Sequence, residues 1–132
     1  MNTKPTGQMK RFALHEHKAK RAGLHYDLRL EWHGGTVMSF AMRYLPPATL
    51  GVKRLAIEQP LHDEESLHFE GAIEEGYGAG ELRMIDSGEY DLLKEDPKEL
   101  IIVLRGKTLS GTYVMLNTGE HKWLIFKKKN EN

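Results

Sequence analysis

Ten residues near the start of this chain leave its backbone little choice. Leu24, Tyr26, Leu28, Leu30 and Trp32 alternate with His25, Asp27, Arg29, Glu31 and His33. A period of two sorts into one apolar and one polar face only on an extended strand. Gly34-Gly35 then predicts a tight turn into a second strand over residues 36–42. Further strands are predicted at 12–17, 54–59, 81–86, 100–104, 111–116 and 122–127. Pro46-Pro47, Asp86-Ser87-Gly88 and Asn117-Thr118-Gly119 mark loops or turns between them. Helical periodicity is weak, with residues 18–22 and 97–99 as the short helix candidates. Seven or eight short strands in so small a chain predict a mainly β fold. The expected architecture is an antiparallel β-barrel with one or two short helices, since closure removes exposed sheet edges.

Composition sets the limits. A chain of 132 residues, 39% apolar and 29% charged, supplies one core under a polar surface. The expected organisation is a flexible segment over 1–10, one domain over 11–129 and a polar tail over 130–132. No stretch approaches the ~18 apolar residues of a membrane span. The first residues lack the apolar segment of a secretory signal, so a cytoplasmic protein with no membrane partner is expected. There is no cysteine, which excludes disulfides, thiolate metal sites and a cysteine nucleophile. Any metal must be held by imidazole and carboxylate, and seven histidines are available. The net charge is zero, but residues 1–54 hold ten Lys/Arg against three Asp/Glu, and residues 55–100 hold three against fourteen. A neutral total argues against a purely electrostatic nucleic-acid binder; basic flanks still suit local contact with phosphate.

Alternation also gathers chemistry. Side chains at i, i+2 and i+4 leave a strand on one side, so His25, Asp27 and Arg29 stand in a row. Imidazole and carboxylate at that spacing suit one divalent cation, with a guanidinium beside it for an anion. His17, on the preceding strand, is a candidate third ligand, and His15 on the same strand face is its rival. Two histidines and one carboxylate leave positions open for water and substrate, and such donors suit manganese, iron or zinc. The competing reading is that this row is the solvated face of a half-buried strand. His62 sits in a loop position suited to acid/base work or phosphate contact, or is an ordinary exposed histidine. His33, His68 and His121 read as surface residues. Gly76-Tyr77-Gly78-Ala79-Gly80 reads as a sharply bent connection, because no Gly-Lys-Ser/Thr follows to make a phosphate loop.

In order along the chain, these segments resemble a known family. Arg11-Phe12-Ala13-Leu14-His15-Glu16-His17 followed by Leu24-His25-Tyr26-Asp27-Leu28-Arg29-Leu30-Glu31 is similar to the opening of the 3′-phosphoesterase domain of bacterial LigD-type DNA-repair ligases. The likeness continues through Lys53-Arg54-Leu55-Ala56-Ile57-Glu58 and Phe69-Glu70-Gly71-Ala72-Ile73. It extends through Glu75-Gly76-Tyr77-Gly78-Ala79-Gly80 and Asp86-Ser87-Gly88 to Trp123-Leu124-Ile125-Phe126-Lys127-Lys128.

The resemblance implies a small β-barrel hydrolase that uses manganese, with zinc or cobalt as alternative ions. Such an enzyme removes a 3′-terminal ribonucleoside and hydrolyses a 3′-phosphate to a 3′-hydroxyl for ligation. By the resemblance, His17, His25 and Asp27 are the metal ligands, and Arg29 and Arg54 bind the scissile phosphate. His62 falls at the family's other essential histidine, and Arg43 stands in for a phosphate-contacting lysine. The implied partners are DNA or DNA/RNA 3′ ends; a ligase or polymerase in trans and a monomeric state are further expectations. This chain departs from the pattern in the extra Ala22-Gly23, and in Pro60 and Ser66 where glutamate and tyrosine are usual. Those departures and the basic flanks motivate a second reading, a non-catalytic nucleic-acid end-binding module or ligase accessory.

Overall fold

The computed structural model describes residues 10–74 and 79–129. Its strands are β1 (Lys10–Ala19), β2 (Gly23–Glu31), β3 (Thr36–Met42), β4 (Lys53–Glu58), β5 (His62–Asp63), β6 (Gly71–Ile73), β7 (Gly80–Asp96), β8 (Glu99–Gly106), β9 (Ser110–Gly119) and β10 (Lys122–Lys127). Eight of them close into an antiparallel barrel in the order β1-β2-β3-β4-β10-β9-β8-β7, with β7 returning to β1. β6 extends the sheet beyond β7, and β5 pairs with β3. The mainly β, barrel-forming expectation is what the chain adopts.

Strand alternation sends one set of side chains inward. Phe12 and Leu14 of β1 meet Leu28 and Leu30 of β2, Phe40 of β3, and Ile102 and Leu104 of β8 in the barrel interior. The opposite faces of β1, β2 and β3 are also covered. The 3₁₀ turn Glu64–Leu67 lays Leu67, 2% exposed, against Ala13 and Val37 on the outside of the barrel. Burying one such leucine stabilises the cover by about 2 kcal/mol. The polar row on β2 is therefore roofed, which is why the solvated-face reading does not hold for Asp27 and Arg29, both under 7% exposed.

Several local expectations are corrected. Residues 18–22 do not form a helix: Lys18 and Ala19 finish β1, where they pair with β2 on one side and β7 on the other. Residues 97–99 form no helix either: Pro97 and Lys98 make a tight connection before Glu99 opens β8, closed by the Asp96 carboxylate accepting from the backbone N–H of Lys98 and of Glu99. The 3₁₀ turns lie elsewhere, at His33–Gly35 and Glu64–Leu67. Asp86-Ser87-Gly88 is not a turn but the middle of β7, paired throughout with β1 and, from Gly88 on, with β8 as well. Gly88 is required there because a Cβ would overlap the Arg105 carbonyl oxygen. Asp86 is only 5% exposed, and its carboxylate gathers the backbone N–H groups of Lys107, Thr108 and Leu109. The turn expected at Gly34-Gly35 is present, and both glycines adopt positive φ, 66° and 76°. Of the glycine-rich segment, Gly76, Tyr77 and Gly78 lie outside the described residues.

Candidate metal and phosphate site

Register across three strands assembles the site. His17 on β1 pairs with His25 on β2, and Asp27 and Arg29 follow on the same face of β2. Ala41 and Ser39 of β3 lie opposite Asp27 and Arg29. His17 Nδ1 lies 3.0 Å from Asp27 Oδ2, and His25 Nε2 lies 3.1 Å from Asp27 Oδ1. The two imidazole rings are 4.5 Å apart between centroids. One ligand atom from each residue falls within 4.8 Å of the others, the group of this kind found among the described residues. His15, the rival third ligand, points into a different environment. It is fully buried, and its Nε2–H donates to the Phe69 carbonyl at 2.9 Å.

The electrostatics follow from this packing. Burial alone would push the Asp27 carboxyl up, but hydrogen bonds from His17 and His25 and the charge of Arg29 outweigh it and hold the group well below the usual carboxylate range. His25 is raised above its ordinary value, chiefly by its hydrogen bond to Asp27 against the opposing effect of burial. His62 is lowered by burial and by the nearby Arg29 charge. His15 is pushed down to about 4, by burial first and then by Arg29, and stays neutral.

Arg29 is 6% exposed. Its Nη1 donates to the Ser66 carbonyl at 2.8 Å and its Nη2 to Asp27 Oδ2 at 3.4 Å, while its Nε makes no protein hydrogen bond. A cleft of about 810 Å³ opens over this face, and His17, His25, Asp27, Arg29, Arg43 and His62 all line it. Arg54 is not brought there. It shares the inward-facing row of β4 with Ala56, a barrel-core residue, and its guanidinium sits 4.8 Å from the Tyr44 ring. Ser66, the residue replacing the usual tyrosine, turns its hydroxyl to the Asp63 carbonyl and offers the site only its own backbone oxygen. Pro60 lines the cleft. Sequence reasoning missed Ser39 and Gln59 as cleft residues. Parity with Ala41 was the available signal for Ser39. It also missed the two bonds, from Arg29 and His15, that tie the 64–69 segment down, and no pattern in the sequence announces them.

The donor set fits a divalent cation. Separations of about 3 Å between donor atoms are those of two ligands sharing an ion at ~2.1 Å. The Asp27 carboxylate, between the two imidazoles, is held ionised. Fold and site together define a closed antiparallel barrel whose roofed outer face carries a histidine–carboxylate cluster beside a buried arginine.

The chain belongs to the DNA ligase D 3′-phosphoesterase domain family, whose model matches residues 15–117. It is 40% identical over 131 residues to the multifunctional non-homologous end joining DNA repair protein LigD of Mycobacterium tuberculosis H37Rv, a match covering 96% of this chain and 17% of that protein. It is 37% identical to the Mycolicibacterium smegmatis LigD over 138 residues, covering 96% and 18%. The Pseudomonas aeruginosa LigD is 36% identical over 130 residues, covering 90% and 15%. The chain thus spans less than a fifth of the length of these relatives. Among the described residues no helix is long and apolar enough to cross a membrane.

Proposed function

We propose that this protein is a metal-dependent phosphoesterase that heals 3′ ends of DNA or RNA. It removes a 3′-terminal ribonucleoside, hydrolyses a 3′-phosphate to a 3′-hydroxyl, or does both, and so prepares an end for a ligase. The observation that carries this reading is the His17/His25/Asp27 cluster with the Arg29 guanidinium beside it in one cleft. Membership of a phosphoesterase-domain family supports it. His17, His25 and Asp27 would hold the ion, manganese by preference; when bound, it supplies a Lewis acid for the developing charge on phosphoryl oxygen.

The chain's own residues do the rest. Arg29, fixed by Ser66 and Asp27, presents remaining N–H donors to the non-bridging oxygens, and its planar fork grips two oxygens where an ammonium grips one. Arg43, exposed on the cleft wall, adds a second cation at the mouth. His62 is kept neutral before substrate arrives by burial and by Arg29. A phosphate dianion offsets the charge of Arg29 and favours the imidazolium, which then donates a proton to the leaving oxygen. The protein acts as a cytoplasmic monomer on polynucleotide ends.

The test is a primer–template ending in one ribonucleotide or in a 3′-phosphate, incubated with manganese. Shortening or phosphate release, lost in His62→Ala, is expected. A folded, manganese-loaded protein that leaves both ends intact overturns the proposal. The second reading, a non-catalytic end-binding module, rests on Pro60 and Ser66. It predicts salt-dependent DNA affinity that survives chelation and His25→Ala, with no turnover.

A further inference from the structure

The cleft is larger than a phosphate and a cation require, and its two ends differ in chemistry. Strand register gives its axis. His62 pairs with Val37 at one end; along β3 from there come Ser39 opposite Arg29 and Ala41 opposite Asp27. The His17–His25 pair lies further on, and beyond it Ala19 faces Gly23 on one side and Gly80 on the other. Gly80 in turn faces Ile73 of β6. A row of Ile73, Gly80, Ala19 and Gly23 therefore crosses four strands at the end remote from His62. Ala22, in the connection that the two extra residues lengthen, and Leu24 of β2 flank it.

This row and its flanks carry no side chain with a hydrogen-bonding group. Leu24 is 52% exposed at its side, an apolar wall that the described residues leave open. The volume, about 810 Å³, falls in the range of roughly 300–1,000 Å³ that takes an organic ligand rather than a bare anion. A phosphate ester held between the cation ligands and Arg29 has one organic substituent to place. One direction leads to the polar end with Ser39 and His62, the other to apolar surface continuous with the site.

We propose that the apolar end is the subsite for the nucleoside that carries the scissile phosphate on its 3′-oxygen. Ala19, Leu24 and Ile73 hold its base by van der Waals contact and do not read its edges. The inference rests on the proposed function and deepens it: the enzyme recognises that a base is present, not which base. Discrimination between bases needs donors and acceptors matched to their edges; these three side chains offer none, and Arg43 at the mouth offers donors alone.

The test uses primer–template duplexes whose 3′-phosphate is carried by dA, dC, dG, dT or a tetrahydrofuran abasic residue. Binding is followed by fluorescence anisotropy, and phosphate release is followed with manganese. The four bases are expected to agree within about threefold, and the abasic end to bind at least about tenfold more weakly. Leu24→Ser, at an exposed position that does not endanger the fold, weakens the base-bearing ends and leaves the abasic end unchanged. Equal affinity for base-bearing and abasic ends overturns the subsite, as does discrimination beyond about tenfold among the four bases. Tighter binding of base-bearing than of abasic ends, with no phosphate release, upholds the subsite and overturns the catalytic reading instead.

Discussion

Replacing Arg29 by lysine separates the shape of the guanidinium from its charge. In the folded protein Arg29 spans two partners at once, the Ser66 carbonyl at 2.8 Å and Asp27 Oδ2 at 3.4 Å, from a position 6% exposed to solvent. Lysine keeps a positive charge beside Asp27 but has a single ammonium and no fork, so it satisfies one of these partners and abandons the other. An orphaned, part-buried Ser66 carbonyl costs about 1–3 kcal/mol, read as a lower urea midpoint with an unchanged slope. The chemical cost is larger: losing a preoriented donor set at the phosphate lowers kcat by about 10²–10³-fold. The assay is phosphate release from a 3′-phosphate primer at saturating manganese, with equilibrium unfolding measured on the same preparation. A lysine variant within about threefold of the parent would show that charge alone suffices and refute the fork argument.

Two further perturbations test the frame around the site. His15 is buried neutral with its pKa near 4 against an ordinary 6.5, so the unfolded chain binds more protons between those values. Stability therefore falls as pH drops from 6.5 towards 4, and His15→Gln, which keeps a donor for the Phe69 carbonyl, flattens that slope in urea melts at stepped pH. Asp86 is held below its ordinary value: burial opposes ionisation, but the N–H groups of Leu109, Lys107 and Thr108 outweigh it. Its contribution is present above the unfolded carboxyl pKa and lost as pH falls through the lower folded one. Asp86→Ala is expected to cost about 3 kcal/mol at neutral pH, measured by chemical denaturation.

Much of the barrel was legible because its strands alternate cleanly. The period of two in residues 24–33 placed His25, Asp27 and Arg29 on one face, and their register with β1 brought His17, rather than His15, to the cluster. What the pattern does not encode is a face that is polar and buried at once. The roof supplied by Leu67 and the 64–69 segment comes from residues far along the chain, so burial of Asp27 and Arg29 is a tertiary outcome. Asp86-Ser87-Gly88 misleads for a related reason. Turn-type residues there serve a crowded strand, where a glycine admits the neighbouring backbone and an aspartate gathers a distant loop. Arg54 shows the limit of motif position: it occupies the matching place in the chain, yet strand parity turns it to the barrel side, against Tyr44.

The central claim is that His17, His25 and Asp27 bind one divalent cation beside Arg29. Titration of manganese into metal-stripped protein, followed by the loss of free-ion electron paramagnetic resonance signal, tests it most directly. One saturable site is expected, with affinity falling as acid protonates the raised His25, and with Asp27→Asn weakening it by about 10²-fold or more. No saturable binding, or binding that Asp27→Asn and His25→Ala leave unchanged, would contradict the account.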